Sequence, residues 1–248
     1  DHSVQSYFQQ GNNSNLVPEW SRPYAGNGYP TVRLIKSDGT DPGNAPVFLG
    51  FGSTPRISPD GKKIALTATH NGHIYVSNID GSKDEDITAD FVGTTASHPT
   101  WFPDSQRLLF QCGSSICQAY AYSGSPAREY MRLFNRGDVH PEVSPDGRYL
   151  LYYESDTCLS DNICPIWRII DMRLNRIKIF SQLGNAHWSP DGTKLITAQH
   201  VTRGNFSYVS TEIALVNLAE TAVFNRDFTG FTALTNNGDG EEVPWIQP

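Results

Sequence analysis

Residues 54–80 read TPRISPDGKKIALTATHNGHIYVSNID, and much of the remaining chain repeats this stretch. A short run ends in Ser58-Pro59-Asp60-Gly61, where Pro presets one turn dihedral and Gly supplies a positive φ. A second run over 63–68 and a third over 73–79 follow, parted by a loop around Asn71-Gly72. Both runs are short and rich in β-branched and apolar residues, which reads as strand rather than helix. The turn recurs as Phe102-Pro103-Asp104-Ser105, Ser144-Pro145-Asp146-Gly147 and Ser189-Pro190-Asp191-Gly192. Its prolines step by 44, 42 and 45 residues. A period of about 40–45 residues with several strands per repeat is the mark of a β-propeller.

Each repeat predicts a four-stranded antiparallel blade. Inner strands are expected at 54–57, 98–101, 140–143 and 185–188, and second strands at 63–68, 107–111, 149–154 and 194–198. Third strands follow at 73–79, 117–122, 167–171 and 211–217, and outer strands at 86–88, 128–134, 176–182 and 231–235. The C-terminal Val243-Pro244-Trp245-Ile246-Gln247-Pro248 matches His98-Pro99-Thr100-Trp101-Phe102-Pro103, and residues 1–8 continue that motif beyond its turn. Segments 243–248 and 3–9 are therefore expected to share one blade, closing the ring and removing free sheet edges. Residues 31–36 and 46–50 supply its third and fourth strands, and 10–30 a long loop. The reading is a single domain, 1–248, with five blades. Six follow if Val17-Pro18-Glu19-Trp20-Ser21 is an inner strand of its own.

Composition narrows the class. Sixteen Pro, 21 Gly and 11% aromatic residues against 18% charged residues suit many short strands joined by turns. A net charge of −7 without any basic block argues against a nucleic-acid partner, whose phosphates require clustered Lys and Arg. No apolar run reaches the roughly 18 residues of a membrane-spanning helix. Asp1 suits the first residue of a processed mature chain, or a simple boundary.

The four cysteines fall in two close pairs, Cys112/Cys117 and Cys158/Cys164, in the same loop of successive repeats. Two hairpin disulfides are expected, placing the chain in an oxidising compartment: secreted, periplasmic or at the cell surface. Reduced thiols or a zinc site are the alternatives, although zinc ligands usually stand closer together and bring matching histidines. The sequons Asn12-Asn13-Ser14 and Asn205-Phe206-Ser207 matter only in a eukaryotic secretory pathway.

The stretches HPTWFPDSQRLLF (98–110), HPEVSPDGRYLLYY (140–153) and ISPDGKKIAL (57–66) resemble the TolB-type propeller repeat. The resemblance covers about 54–218 directly and the termini through the closure argument, without the extra N-terminal domain of TolB itself. It implies the propeller fold strongly and function weakly, since the family includes protein-binding scaffolds, gating domains of serine peptidases and oligogalacturonate-type lyases.

Inner strands begin at the end of the propeller that also carries the loops between second and third strands, here called the upper face. His98 and His140 start their inner strands there, and His187 lies two residues further along its own. Three histidines around one channel mouth fit a divalent metal, as in the lyase branch that the repeat resembles; bonding within the blade fits them equally. Asp239 and Glu241 in Gly238-Asp239-Gly240-Glu241-Glu242 suit calcium or a solvated turn. Trp20, Tyr24 and Tyr29 stand off the repeat among Gly, Asn and Pro, where they suit stacking on a sugar ring or capping the core. Trp101 and Trp188 share a repeat position expected to pack between blades. No nucleophile elbow, phosphate loop or His-Glu-x-x-His motif occurs. Three functions are open: a non-catalytic binding or scaffold propeller for a glycan or protein, with no cofactor; a metal-dependent polysaccharide lyase; and a structural subunit of a surface assembly.

Overall fold

The computed structural model describes residues 5–6, 8–9, 16–21, 31–36, 48–91, 95–124, 126–132, 139–154, 166–174, 176–181, 183–189, 191–202, 209–217, 231–233 and 246–247, with side chains at 32, 34, 52–91, 95–124, 126–131, 139–153, 167–174, 186–189 and 191–196. Every regular element among them is a strand. The first are β1 (Gln5–Ser6), β2 (Phe8–Gln9), β3 (Leu16–Ser21), β4 (Thr31–Lys36) and β5 (Phe48–Ile57). With β6 (Lys63–Ala68), β7 (Ile74–Asn78) and β8 (Glu85–Asp86) they build a seven-stranded sheet ordered β1-β3-β4-β5-β6-β7-β8. The long β5 divides it, because its first half pairs with β4 and its second half with β6. The outer strand of one four-stranded unit thus runs on as the inner strand of the next.

Three four-stranded antiparallel sheets follow in chain order. The first comprises β9 (Ala96–Trp101), β10 (Arg107–Cys112), β11 (Ser115–Tyr120) and β12 (Arg128–Arg132). The second comprises β13 (Glu142–Val143), β14 (Tyr149–Glu154), β15 (Ile166–Asp171) and β16 (Arg176–Ser181). The third comprises β17 (Leu183–Trp188), β18 (Lys194–Thr202), β19 (Val209–Asn217) and β20 (Phe231–Ala233). These are the inner, second, third and outer strands that the repeat predicts.

The turn chemistry explains why the motif recurs. In three repeats the Ser hydroxyl donates to the Asp two residues on at 2.6 Å, and the Gly amide donates to the Ser carbonyl at 2.8 Å. Each Gly holds φ near +70°. Ser105 adopts φ 56° in the same place. Its hydroxyl accepts the Asp60 amide at 3.0 Å, a bond to the preceding turn that a glycine lacks. The turns also pack on each other, since a Cβ added at Gly147 would lie 3.2 Å from Pro103.

The core lies between successive sheets. Leu108 and Phe110 of β10 face Ala65, Ile74 and Val76 of the preceding sheet, while Leu109 faces Val139, Val143 and Leu150 of the next. Burial on both faces accounts for the unbroken apolar run Leu108-Leu109-Phe110. Trp101 and Trp188 fill equivalent places. Their indole N–H groups donate to the carbonyls of Arg56 (2.8 Å) and Glu142 (3.2 Å) in the previous inner strand, so the packing expectation holds.

The structure corrects two expectations. Trp20 lies in a strand, β3, opposite Gln5 and Val32, and not in a long loop. This strand was obscured by Pro18, which suits only edges. Among the described residues, β1 pairs with Glu19 and Trp20. Because β3 pairs on both sides, 17–21 is also no inner edge strand. Second, β2 does meet β21 (Ile246–Gln247), but as a separate parallel ladder in which Phe8 pairs with Ile246, and not as adjacent antiparallel strands of one blade. The expected Cys112–Cys117 disulfide is present, with Cα atoms 5.9 Å apart and both cysteines buried in the core between sheets. Cys158 and Cys164 lie outside the described residues.

Candidate functional site

The candidate site lies at the upper ends of the sheets, called the mouth below, where β5 and β9 bring Thr54 and His98 into equivalent positions. Both residues take positive φ, 48° and 53°, at register shifts in their ladders. Each precedes a proline, which disfavours right-handed helical backbone for the residue before it. The resulting bulge aims the side chain away from the ladder. Since Thr54 shares the strain, the bulge belongs to the repeat and does not by itself mark His98 as functional. The Thr67 hydroxyl ties the two repeats together, meeting Thr54 Oγ1 at 2.8 Å and accepting the His98 amide at 3.2 Å.

The His98 ring stacks on His140, with centroids 3.9 Å apart and planes 19° apart. His140 continues to Tyr153 at 5.7 Å, and Tyr153 to the buried Trp167 at 5.3 Å. His98 Nδ1 meets the Ser97 hydroxyl at 3.1 Å. Gln111 closes the side of the mouth, its Oε1 accepting the Val139 amide at 2.9 Å and its Nε2 donating to Gly113 O at 3.3 Å. Burial pushes the His98 pKa down to about 3, aided by His140 and the Arg56 charge and opposed by a bond from Gln111. The ring is therefore neutral at physiological pH. Half-buried rings, hydroxyls and an amide make this a polar rim.

His187 is placed deeper. Its Nδ1 meets Glu142 Oε2 at 2.8 Å, and Glu142 Oε1 accepts the Trp188 amide at 3.0 Å. The structure thus brings His98 and His140 together face to face and engages His187 at Glu142. Among the described residues no three His, Cys, Asp or Glu side chains gather as a metal-binding group. Tyr24, Tyr29, Asp239 and Glu241 lie outside the described residues, and of Trp20 only the backbone is described. Thr54, Thr67 and Gln111 were missed from sequence; Thr54 could have been found as the residue aligned with His98 and His140.

No protein family and no curated protein matches the chain by sequence. Solved structures do match its fold. TolB from Acinetobacter baumannii aligns at 19% identity and TM-score 0.60, over 87% of this chain and 52% of that one. The fold is a TolB-like β-propeller. A putative TolB from Agrobacterium tumefaciens gives 17% identity and TM-score 0.62 over 94% of this chain and 81% of that one. A puromycin hydrolase gives 18% and 0.58, over 94% and 39%. The chain thus spans about half the length of the Acinetobacter TolB, and identities this low speak for the propeller alone. No described helix is long and apolar enough to cross a membrane.

The neutral His98 carries a pH signature. Unfolded, it binds a proton near 6.5; folded, only near 3. Stability is therefore complete above pH 6.5 and falls as pH drops, by about 1.4 kcal/mol per unit until the folded value is reached. The carboxylates of Asp80 and Asp191, lowered first by the Ser82 and Ser189 hydroxyls, act only below their ordinary 3.8. Urea melts of the parent and His98→Asn from pH 7 to pH 5 should differ in slope, the variant losing about 2 kcal/mol less over that range. Equal slopes would contradict the assignment.

Proposed function

We propose that this chain is a non-catalytic binding propeller, acting outside the cytoplasm, whose upper-face mouth holds a glycan or a segment of a partner protein. The observation that carries it is the His98–His140 ring stack beside the Thr54 and Ser97 hydroxyls and the Gln111 amide. Flat stacked rings next to fixed donors and acceptors suit a ligand that offers hydroxyls or amides. In this reading 1–248 is one five-bladed ring closed at its termini, Cys158 and Cys164 form a second disulfide, and Tyr24 and Tyr29 extend the binding surface. The Cys112–Cys117 bond supports an oxidising compartment.

A glycan-array screen and a partner-protein pulldown, run with elemental analysis of the same purified chain, test this. The expected result is saturable binding by metal-free protein without turnover. Stoichiometric metal together with cleavage of an acidic polysaccharide would replace it with the lyase reading.

A further inference from the structure

The opposite end of the propeller carries the Ser-Pro-Asp-Gly turns and the hairpins between third and outer strands. There, between the β9–β12 and β13–β16 sheets, lies a cleft of about 360 Å³ lined by Phe102, Asp104, Arg107, Tyr130, Asp146, Met172 and Arg173. The buried Phe102 forms its floor, and the Arg107 guanidinium lies 4.3 Å over that ring. The exposed large apolar side chains among the described residues are Tyr120, Tyr122, Tyr130 and Leu174. All four belong to this region: Tyr130 lines the cleft, Tyr120 pairs with Arg107 across the ladder, Tyr122 stacks on Tyr120 at 5.6 Å, and Leu174 follows Arg173. Exposed aromatics gathered around a cleft mark an interaction surface rather than scattered surface residues.

The charges in the cleft point to the class of occupant. Asp104 is committed within its own turn, accepting the Gln106 and Arg107 amides and Arg107 Nε. Asp146 Oδ1 accepts the Ser144 hydroxyl and the Arg148 amide. On the donor side, Arg107 uses Nε alone, and the exposed Arg173 guanidinium has no partner among the described residues. Uncommitted capacity is thus mainly guanidinium N–H, beside Tyr, Phe and Met surface. We propose that this cleft docks an extended segment of a partner protein that carries an aromatic side chain flanked by carboxylates. The ring stacks on the outer face of Arg107 against Tyr130 and Met172, and a neighbouring carboxylate pairs with Arg173. Arg, Tyr and Met are the side chains that concentrate binding energy at protein interfaces.

The test uses the full chain and a fluorescein-labelled pentapeptide, Gly-Asp-Trp-Glu-Gly, read by fluorescence polarisation. Saturable binding is expected, weakened about tenfold or more by Arg173→Glu and by Tyr130→Ala. The same peptide with Lys flanks, or with Ala for Trp, should bind no better than background. Arg173 is exposed, so Arg173→Glu should melt like the parent. Absence of saturable binding, or equal binding by Arg173→Glu, overturns the proposal. So does parent self-association that Arg173→Glu abolishes, which would assign the cleft to a second copy of this chain.

Discussion

Glu142→Ala should destabilise the fold by about 2–4 kcal/mol, because a buried donor that loses its acceptor costs roughly 1–3 kcal/mol and two are affected. Glu142 is buried, and its carboxylate meets His187 Nδ1 at 2.8 Å and the Trp188 amide at 3.0 Å. Its carbonyl also accepts the Trp188 indole at 3.2 Å. These contacts join the inner strands β13 and β17, so the substitution leaves a buried His nitrogen and a buried backbone amide without that partner. Glu142→Gln should cost much less, because its amide group offers one donor and one acceptor in the same places. Chemical denaturation of the three proteins decides the matter. An alanine variant within about 0.5 kcal/mol of the parent would show that the inter-sheet carboxylate holds nothing.

Reduction of the Cys112–Cys117 bond should cost about 2 kcal/mol, the loop-closure value for so short a loop. The bridge closes a short loop between residues five apart, and both sulfurs sit in the core shared by Ile74, Val76 and Phe110. Melts with and without reductant measure the loss directly. Alkylation without reductant, followed by mass spectrometry, should label neither Cys112 nor Cys117. Labelling of both in protein isolated from its native compartment would contradict an oxidising location.

The repeat made most of the fold legible. The strands from β5 to β20 fall within a few residues of their expected bounds, because the repeat fixes their spacing and the turn between inner and second strands carries Pro and a positive-φ residue that leave little choice of backbone. What the sequence hid lies where the repeat lapses. The strand β3 carries Pro18 and lacks the turn motif, so the repeat gives it no signature. Termini that match one repeat motif implied antiparallel pairing, whereas β2 and β21 run parallel. At the mouth, alignment of His98 with His140 implied proximity, but only the fold could reveal ring stacking and the burial that keeps His98 neutral. The alignment gave no sign that His187 pairs with Glu142, since that bond joins residues 45 positions apart on different sheets. The turn-face cleft was invisible for the same reason: Tyr130 and Arg173 stand outside the quoted repeat stretches, and two sheets must pack before they meet Arg107.

The measurement that bears most directly on the mouth as the binding site is the affinity of His140→Ala relative to the parent, for the glycan or protein that the screen identifies. Asp80→Ala, in an exposed hairpin at the opposite face, serves as the comparison. The stacked ring predicts a loss of roughly 1–3 kcal/mol for His140→Ala, with the melting temperature held and Asp80→Ala binding like the parent. Unchanged affinity for His140→Ala, with binding lost in Asp80→Ala, would contradict it.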